Sequence, residues 1–307
     1  MPRRSNEFWA KLRWKFYLPE YFYRPRQIVR RVRRQLAGVI GKQTARLPWG
    51  ADVQIQLPGL IPNSIWLKGT YDIVAAETIW RLIKPGEAAL DVGANFGYFT
   101  SLMAVRCGAG GSVIAFEPQP QMHDELLANS RLWKDSRMAS VEIHQKAISS
   151  RSGQGTLAMP RLWAENPGVA FVADESPEAS EMDSVRIELK KLDDTLSAEL
   201  KIGVAKFDIE GHELEAFKGA DSILARHAIR DIVFEDSRDA DSPAKKLLRK
   251  HGYTLFSLAK RFRGPLLCGI DGSGVSPRDD ANFMATVDPA RVISLMKPRG
   301  WMSLVEG

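Results

Sequence analysis

The chain has 307 residues, 44% hydrophobic and 26% charged, an ordinary globular composition that excludes wholesale disorder, a collagen repeat and a long coiled coil. Two cysteines are too few for a disulfide framework, and the five histidines show no metal-ligand spacing, so no metal is expected. The net charge of +6 conceals a split, because residues 1–46 hold 13 Lys/Arg against Glu7 and Glu20 while the rest of the chain holds 30 Lys/Arg against 35 Asp/Glu; the body is acidic, and overall charge alone is no sign of nucleic-acid binding.

Residues 1–46 read as a basic aromatic arm. Phe8, Trp9, Trp14, Phe16, Tyr17, Tyr21, Phe22 and Tyr23 crowd its first half, more aromatics than a purely disordered tail carries. After Pro25, Ile28, Val32, Leu36, Val39 and Ile40 recur at helical spacing, with Arg26, Arg30, Arg31, Arg33 and Arg34 between them. That pattern predicts a basic amphipathic helix. In one reading its stripe and arginines engage an anionic membrane surface. In the other the stripe packs on the body and the arginines face water. No apolar run approaches the ~20 residues of a membrane span, and no secretory h-region is visible. The expected location is the cytoplasm, with peripheral attachment to the inner membrane face under the first reading.

Residues 47–87 are expected to form a small antiparallel element and a helix. Val53, Ile55 and Leu57 alternate, Pro58-Gly59 turns, and Ile65-Trp66-Leu67 follows as a second strand. Residues 72–83 read as a helix ending before Pro85-Gly86. Strands and helices then alternate through 88–307: strands at 88–92, 113–116, 141–148, 185–192, 204–208 and 229–234, and helices at 97–107, 120–133, 212–224 and 243–251. Strands at 253–258 and 283–287 form a final antiparallel pair. This order predicts an α/β, doubly wound, mostly parallel sheet. Residues 150–185 show no periodicity and read as an irregular insertion.

The sharpest signal is Asp91-Val92-Gly93-Ala94-Asn95-Phe96-Gly97, where the first strand of that series runs into a helix. Glycines there allow a tight turn and close backbone approach to a ligand. With only Gly93 and Gly97 present, the run does not fit the dinucleotide pattern GxGxxG. Glu117-Pro118 ends the second strand, where a carboxylate can accept the hydroxyls of an adenosine ribose. Lys206-Phe207-Asp208-Ile209-Glu210-Gly211-His212-Glu213 is a third strand-to-helix run. Each is weak alone, but three in order at strand ends, where ligands bind in such sheets, point to a cofactor.

The run DVGANFGYFT, the AFEP that follows, the block KFDIEGHELEAFKGA and the ending NFMAT…GW resemble FkbM-type S-adenosylmethionine-dependent methyltransferases, over roughly residues 68–287. The resemblance implies a class I methyltransferase (Rossmann-like) fold, with a seven-stranded sheet and a C-terminal antiparallel pair. It implies S-adenosyl-L-methionine as cofactor, and O-methylation of a hydroxyl on a sugar, glycolipid or polyketide. Asp91, Gly93, Ala94, Asn95, Gly97, Tyr98 and Thr100 would then form the cofactor turn. Glu117 and Pro118 would meet the ribose, and Asp208 the methionine end.

Methyl transfer to oxygen is an in-line displacement that excludes water and gains from a general base. Asp208, Glu210 and His212 are the catalytic candidates, with Glu213, Glu235 and Asp236 at neighbouring strand ends. Each also has an ordinary reading: Glu210 and Glu213 suit a helix N-terminus, and Lys206 can pair with a carboxylate. A nucleic-acid methyltransferase using the arm, a metal-assisted enzyme using Asp208, Glu210 and Glu235, and a non-catalytic module retaining the fold remain alternatives. Against the first stands DIEG at 208–211, where amino-methylating enzymes usually carry [DNS]PP[YF]. No nucleic-acid partner is expected.

Overall fold

The computed structural model describes residues 19–23, 25–133, 135–159, 171–173, 183–237, 239–271 and 281–304. The arm's aromatics from Phe8 to Tyr17 lie outside them. Short helix α1 (Pro19–Tyr23) precedes α2 (Arg26–Ala37). Strands β1 (Gly41–Arg46) and β2 (Asp52–Leu57) pair antiparallel, and α3 (Leu60–Lys68) follows. The antiparallel element is therefore built with residues from the end of the arm. Ile65-Trp66-Leu67 lie in α3, not in a strand: Ile65 is buried while its neighbours are half-buried, a one-sided helical pattern. Helix α4 (Ile73–Leu82) starts where the Asp72 side chain accepts the Ala75 amide at 3.1 Å, an N-cap.

The main sheet begins with β3 (Ala88–Val92), α5 (Tyr98–Cys107), β4 (Ser112–Phe116), α6 (Pro120–Ser130) and β5 (Ser140–His144). The chain then leaves it through β6 (Ala147–Ile148), β7 (Gly153–Met159), β8 (Phe171–Ala173) and β9 (Asp183–Lys190). It returns with β10 (Ile202–Phe207), α7 (Glu213–Lys218), α8 (Asp221–Ala225), β11 (Ile229–Glu235), α9 (Pro243–Lys250), β12 (Thr254–Arg261), β13 (Gly264–Cys268), β14 (Asn282–Thr286) and α10 (Pro289–Met296).

The main sheet has eight strands in the order β13-β12-β14-β11-β10-β3-β4-β5, not seven. Its core is parallel, and β14 runs antiparallel between β11 and β12. The additional strand is β13, hairpinned onto β12 at the sheet edge, the kind of strand that tolerates Pro265, which has no N–H to donate. The segment read as irregular also has structure. Strands β6, β9, β7 and β8 form a second sheet around Ala147, Leu157, Ile187 and Leu189. Strand β7 hid from the alternation test because Gly153-Gln154-Gly155-Thr156 carries no apolar residue facing that small core.

The main sheet buries both faces. One carries Ile79, Leu102, Val204 and Val233. The other carries Leu90, Phe207, Phe217 and Phe234. Continuous apolar strands are the expected signature of such two-sided burial. Helix α2 departs from the usual amphipathic arrangement. Gln27 is 3% exposed, whereas Ile28, Val29, Val32, Leu36 and the following Ile40 are between 43% and 83% exposed. The Arg34 guanidinium stacks 3.8 Å over Trp66 of α3. The polar side of this helix faces the body and its apolar stripe faces out, so the packed reading of the stripe does not describe it. Among the described residues no helix is long and apolar enough to cross a membrane.

Candidate active site

The ends of β3, β4 and β10 meet in a cleft of about 230 Å³. Its floor is the turn after β3. The Gly93 and Ala94 amides both donate to the Phe116 carbonyl, at 2.9 and 3.0 Å, and strap the turn to β4. Asn95 takes φ 52° and Gly97 φ 97°, left-handed conformations that Asn and Gly tolerate best. A Cβ on Gly93 would fall 2.0 Å from the Asp208 carbonyl oxygen, so only glycine lets this turn lie against the loop after β10.

Glu117 is buried at the end of β4. Its Oε2 accepts the Asn95 amide at 2.8 Å and its Oε1 the Gln119 amide at 2.9 Å. Burial pushes its carboxyl up to about 7, against the pull of those two amides. Gly93, Ala94, Asn95, Tyr98, Glu117 and Pro118 all line the cleft. Asp91, Gly97 and Thr100 are not among its lining residues and support it from behind. The Thr100 hydroxyl donates to Asp91 Oδ2 at 2.6 Å. The Tyr98 hydroxyl takes the Tyr71 amide at 3.0 Å and donates to its carbonyl at 2.8 Å, which fixes Tyr71 at the rim.

Lys206 is the residue that sequence reasoning left out of the site. Parallel pairing puts it in register with Asp91. Its buried ammonium stands 3.2 Å from Asp208 Oδ2, 3.6 Å from Asp91 Oδ1 and 4.6 Å from the centre of the Phe99 ring. Burial opposes its charge, but the Asp208 and Asp91 carboxylates outweigh burial and hold its pKa above the ordinary lysine value. Burial likewise pushes Asp91 up. A lysine inside an otherwise apolar strand was the available signal, because lysine is almost never fully buried unless paired.

Asp208, Glu210 and His212 also line the cleft. His212 Nε2 lies 3.0 Å from Ser149 Oγ, on the side where β6 and the second sheet close the cleft. Glu210 holds φ 53° on the loop between β10 and α7. Desolvation, then repulsion from Asp208, raises its carboxyl to about 7. Glu213 turns back to accept the Ile209 amide at 3.0 Å. Asp236 faces Lys245 Nζ at 3.0 Å and serves the packing of α9. Glu235 lines the cleft as well. The opposite wall is apolar: Leu60 and Ile61 of α3, Phe116, Ile148, and Leu157 and Val172 of the second sheet. Among the described residues no three His, Cys, Asp or Glu side chains are grouped to hold a metal ion.

The family model described as "Methyltransferase FkbM domain" matches residues 91–255. The chain is 29% identical over 177 residues to Methyltransferase sdnD of Sordaria araneosa, covering 48% of this chain and 64% of that protein. It is 30% identical over 168 residues to Hexuronic acid methyltransferase AglP of Haloferax volcanii, covering 53% of this chain and 62% of that protein. The match thus spans less than two thirds of the length of either relative. Among solved structures, a SAM-dependent O-methyltransferase from Thermotoga maritima is similar at a TM-score of 0.40 and 14% identity, over 82% of this chain and 80% of the other.

Proposed function

Because the chain belongs to the FkbM family of S-adenosylmethionine-dependent methyltransferases, we propose that it methylates a hydroxyl of a small-molecule acceptor such as a sugar, glycolipid or polyketide. The cleft's residues fit the cofactor. Asp208, Glu210 and Glu235 line the cleft, and acidic side chains suit the cofactor's cationic end. When bound, S-adenosylmethionine supplies an electrophilic methyl group on a sulfonium.

The single observation that carries the reading is that Glu117, Asn95 and Asp208 line one cleft at the carboxyl ends of three parallel strands. Glu117 is held by two backbone amides, so its remaining lone pairs are free to accept ribose hydroxyls. Asp208, steadied by Lys206, offers a carboxylate to the cofactor's amino group. Phe116, Pro118, Ile148 and Leu157 offer an apolar slot for a planar base. Glu210 and Glu235 both line the cleft and are candidates for the base. The carbohydrate class of acceptor draws on the relative named a hexuronic acid methyltransferase. A screen with methyl-labelled cofactor against sugars, lipid-linked glycans and polyketides tests it. Label on a hydroxyl of one class is the expected result, and cofactor binding without transfer to any acceptor sinks the proposal.

Glu117→Ala should weaken cofactor binding about 10–100-fold, since charge-assisted hydrogen bonds are worth ~1.5–3 kcal/mol. Calorimetry showing unchanged affinity in the folded variant removes Glu117 from the site. The pH dependence has a definite sign. Hydroxyl donors favour the ionised carboxylate, and this carboxyl ionises near about 7. Wild-type affinity should therefore rise with pH through that value and level off above it, while Glu117→Gln shows no such rise.

The outward stripe of α2 supports the membrane reading of the arm. Val29, Val32 and Leu36 are exposed beside a run of arginines, the combination that binds anionic interfaces. Changing all three to Asp should lower partitioning onto phosphatidylserine-rich vesicles at least ~100-fold, by lost apolar burial and added negative charge. Equal sedimentation of wild type and variant at low salt would leave the arm a partner site.

A further inference from the structure

A row of residues crosses the ends of the three central strands. Phe207 is in register with Val92 on one side and with Phe234 on the other. The next residues, Gly93, Asp208 and Glu235, therefore stand side by side, all on the cleft wall. Phe207 and Phe234 belong to one face of the sheet and Val204 and Val233 to the other. Alternation then puts Asp208 and Glu235 on the face that carries Asp91 and Lys206.

The carboxylates around this row differ in what they already hold. Asp208 is paired with Lys206, Asp236 with Lys245, and Glu213 accepts a backbone amide. Glu210 and Glu235 have no hydrogen bond or ion pair among the described residues. Of these two, Glu235 has the rigid mounting. Its strand is paired on both sides, to β10 and to β14, where Glu235 itself is opposite Asn282. Asn282 Nδ2 in turn donates to Asp72 Oδ2 at 2.8 Å. Both side chains are exposed, but Glu210 sits on a turn outside the sheet, followed by Gly211 at φ 91°. A proton acceptor must be held within a fraction of an ångström of its productive position, which strands do better than loops.

We propose that Glu235 is a catalytic residue, the proton acceptor for the attacking hydroxyl, an assignment that rests on the O-methylation reading. The acceptor O–C bond forms as the C–S bond breaks, the electron pair goes to sulfur, and the hydroxyl proton goes to a Glu235 carboxylate oxygen. The environment suits the task. Desolvation, then Asp208, Glu210, Asp72 and Glu213, raises the Glu235 carboxyl to about 7, near the operating range of a general base. Lys206 is the cation on the same face.

The placement is tested without turnover. In protein carrying 13C-carboxyl glutamate, the Glu235 resonance is the one missing from Glu235→Gln. Saturation with S-adenosylmethionine, a sulfonium cation, should lower its titration midpoint by about one pH unit or more relative to saturation with S-adenosylhomocysteine, an uncharged thioether. An identical midpoint in the two complexes overturns the proposal. In turnover on neutral glycosides, Glu235→Gln should lower kcat about 100- to 10,000-fold with KM little changed, and Glu235→Asp should restore part of it. A Glu235→Gln variant with wild-type kcat also overturns it. A wild-type enzyme that transfers methyl to no hydroxyl refutes the O-methylation reading. The resonance shift would still hold Glu235 at the methyl-transfer end.

Discussion

An Asp208→Asn variant is expected to fold and to transfer methyl groups at least ~100-fold more slowly than wild type. The substitution keeps the shape and removes the charge that faces Lys206 at 3.2 Å. Two effects add. The cofactor's cationic end loses a carboxylate partner. Lys206, 5% exposed along its side chain, loses its nearest carboxylate and keeps the Asp91 carboxylate at 3.6 Å, with the Gly93 carbonyl at 3.4 Å and the Phe99 ring at 4.6 Å. Removing one partner of a fully buried pair costs about 3–5 kcal/mol. Asp208 is 30% exposed along its side chain, so solvent screens part of that loss, and the stability change should be nearer ~1–2 kcal/mol. Denaturation curves and transfer rates with labelled cofactor separate the two. Wild-type turnover in the folded variant would assign Asp208 to structure alone.

Gly93→Ala is the larger perturbation of stability. Gly93 has φ 82°, and the added Cβ would sit 2.0 Å from the Asp208 carbonyl oxygen and 3.0 Å from Ile209 Cγ2. The left-handed backbone and the overlap together should cost about 2–5 kcal/mol. Gly86 provides the comparison. It has φ 87° and nothing within 4 Å of a built Cβ, so Gly86→Ala should cost only the backbone term, about 1–2 kcal/mol. Urea midpoints distinguish them, and equal midpoints would mean that the contact with Asp208 is not felt. Cofactor affinity should fall in Gly93→Ala alone, because relieving the overlap moves the loop that carries Asp208.

The parallel frame was legible because its strands are short apolar runs ending in Gly, Pro or acid, a pattern that survives reading in one dimension. The turn at 93–97, Glu117 and Asp208 stood out for the same reason. Lys206 did not, since its role depends on Asp91 lying beside it in register across 115 positions of sequence. Two elements misled for physical reasons. Residues 65–67 are apolar enough for a strand, yet α3 buries Ile65 and leaves Trp66 to stack under Arg34. The stripe of α2 follows helical spacing, but spacing does not say which side faces the body. The 150–185 stretch was opaque because β7 and β9 find their partners in each other and not in local alternation.

The path into and out of that second sheet bears on how the cleft can change. The Ser149 amide donates to the Lys190 carbonyl at 2.9 Å, and Ala147 is in register with Leu189. The excursion therefore departs and rejoins at a single doorway, while Leu157 and Val172 from inside it form part of the cleft wall. A segment hinged at one doorway is a cassette. It can be lengthened, shortened or exchanged for a relative's without cutting the turn at 93–97 or the strand that carries Lys206, as insertions with adjacent ends generally allow. Descendants of this scaffold can thus exchange one wall of the cleft, Leu157 included, while the turn at 93–97, Glu117 and Lys206 stay where the main sheet holds them.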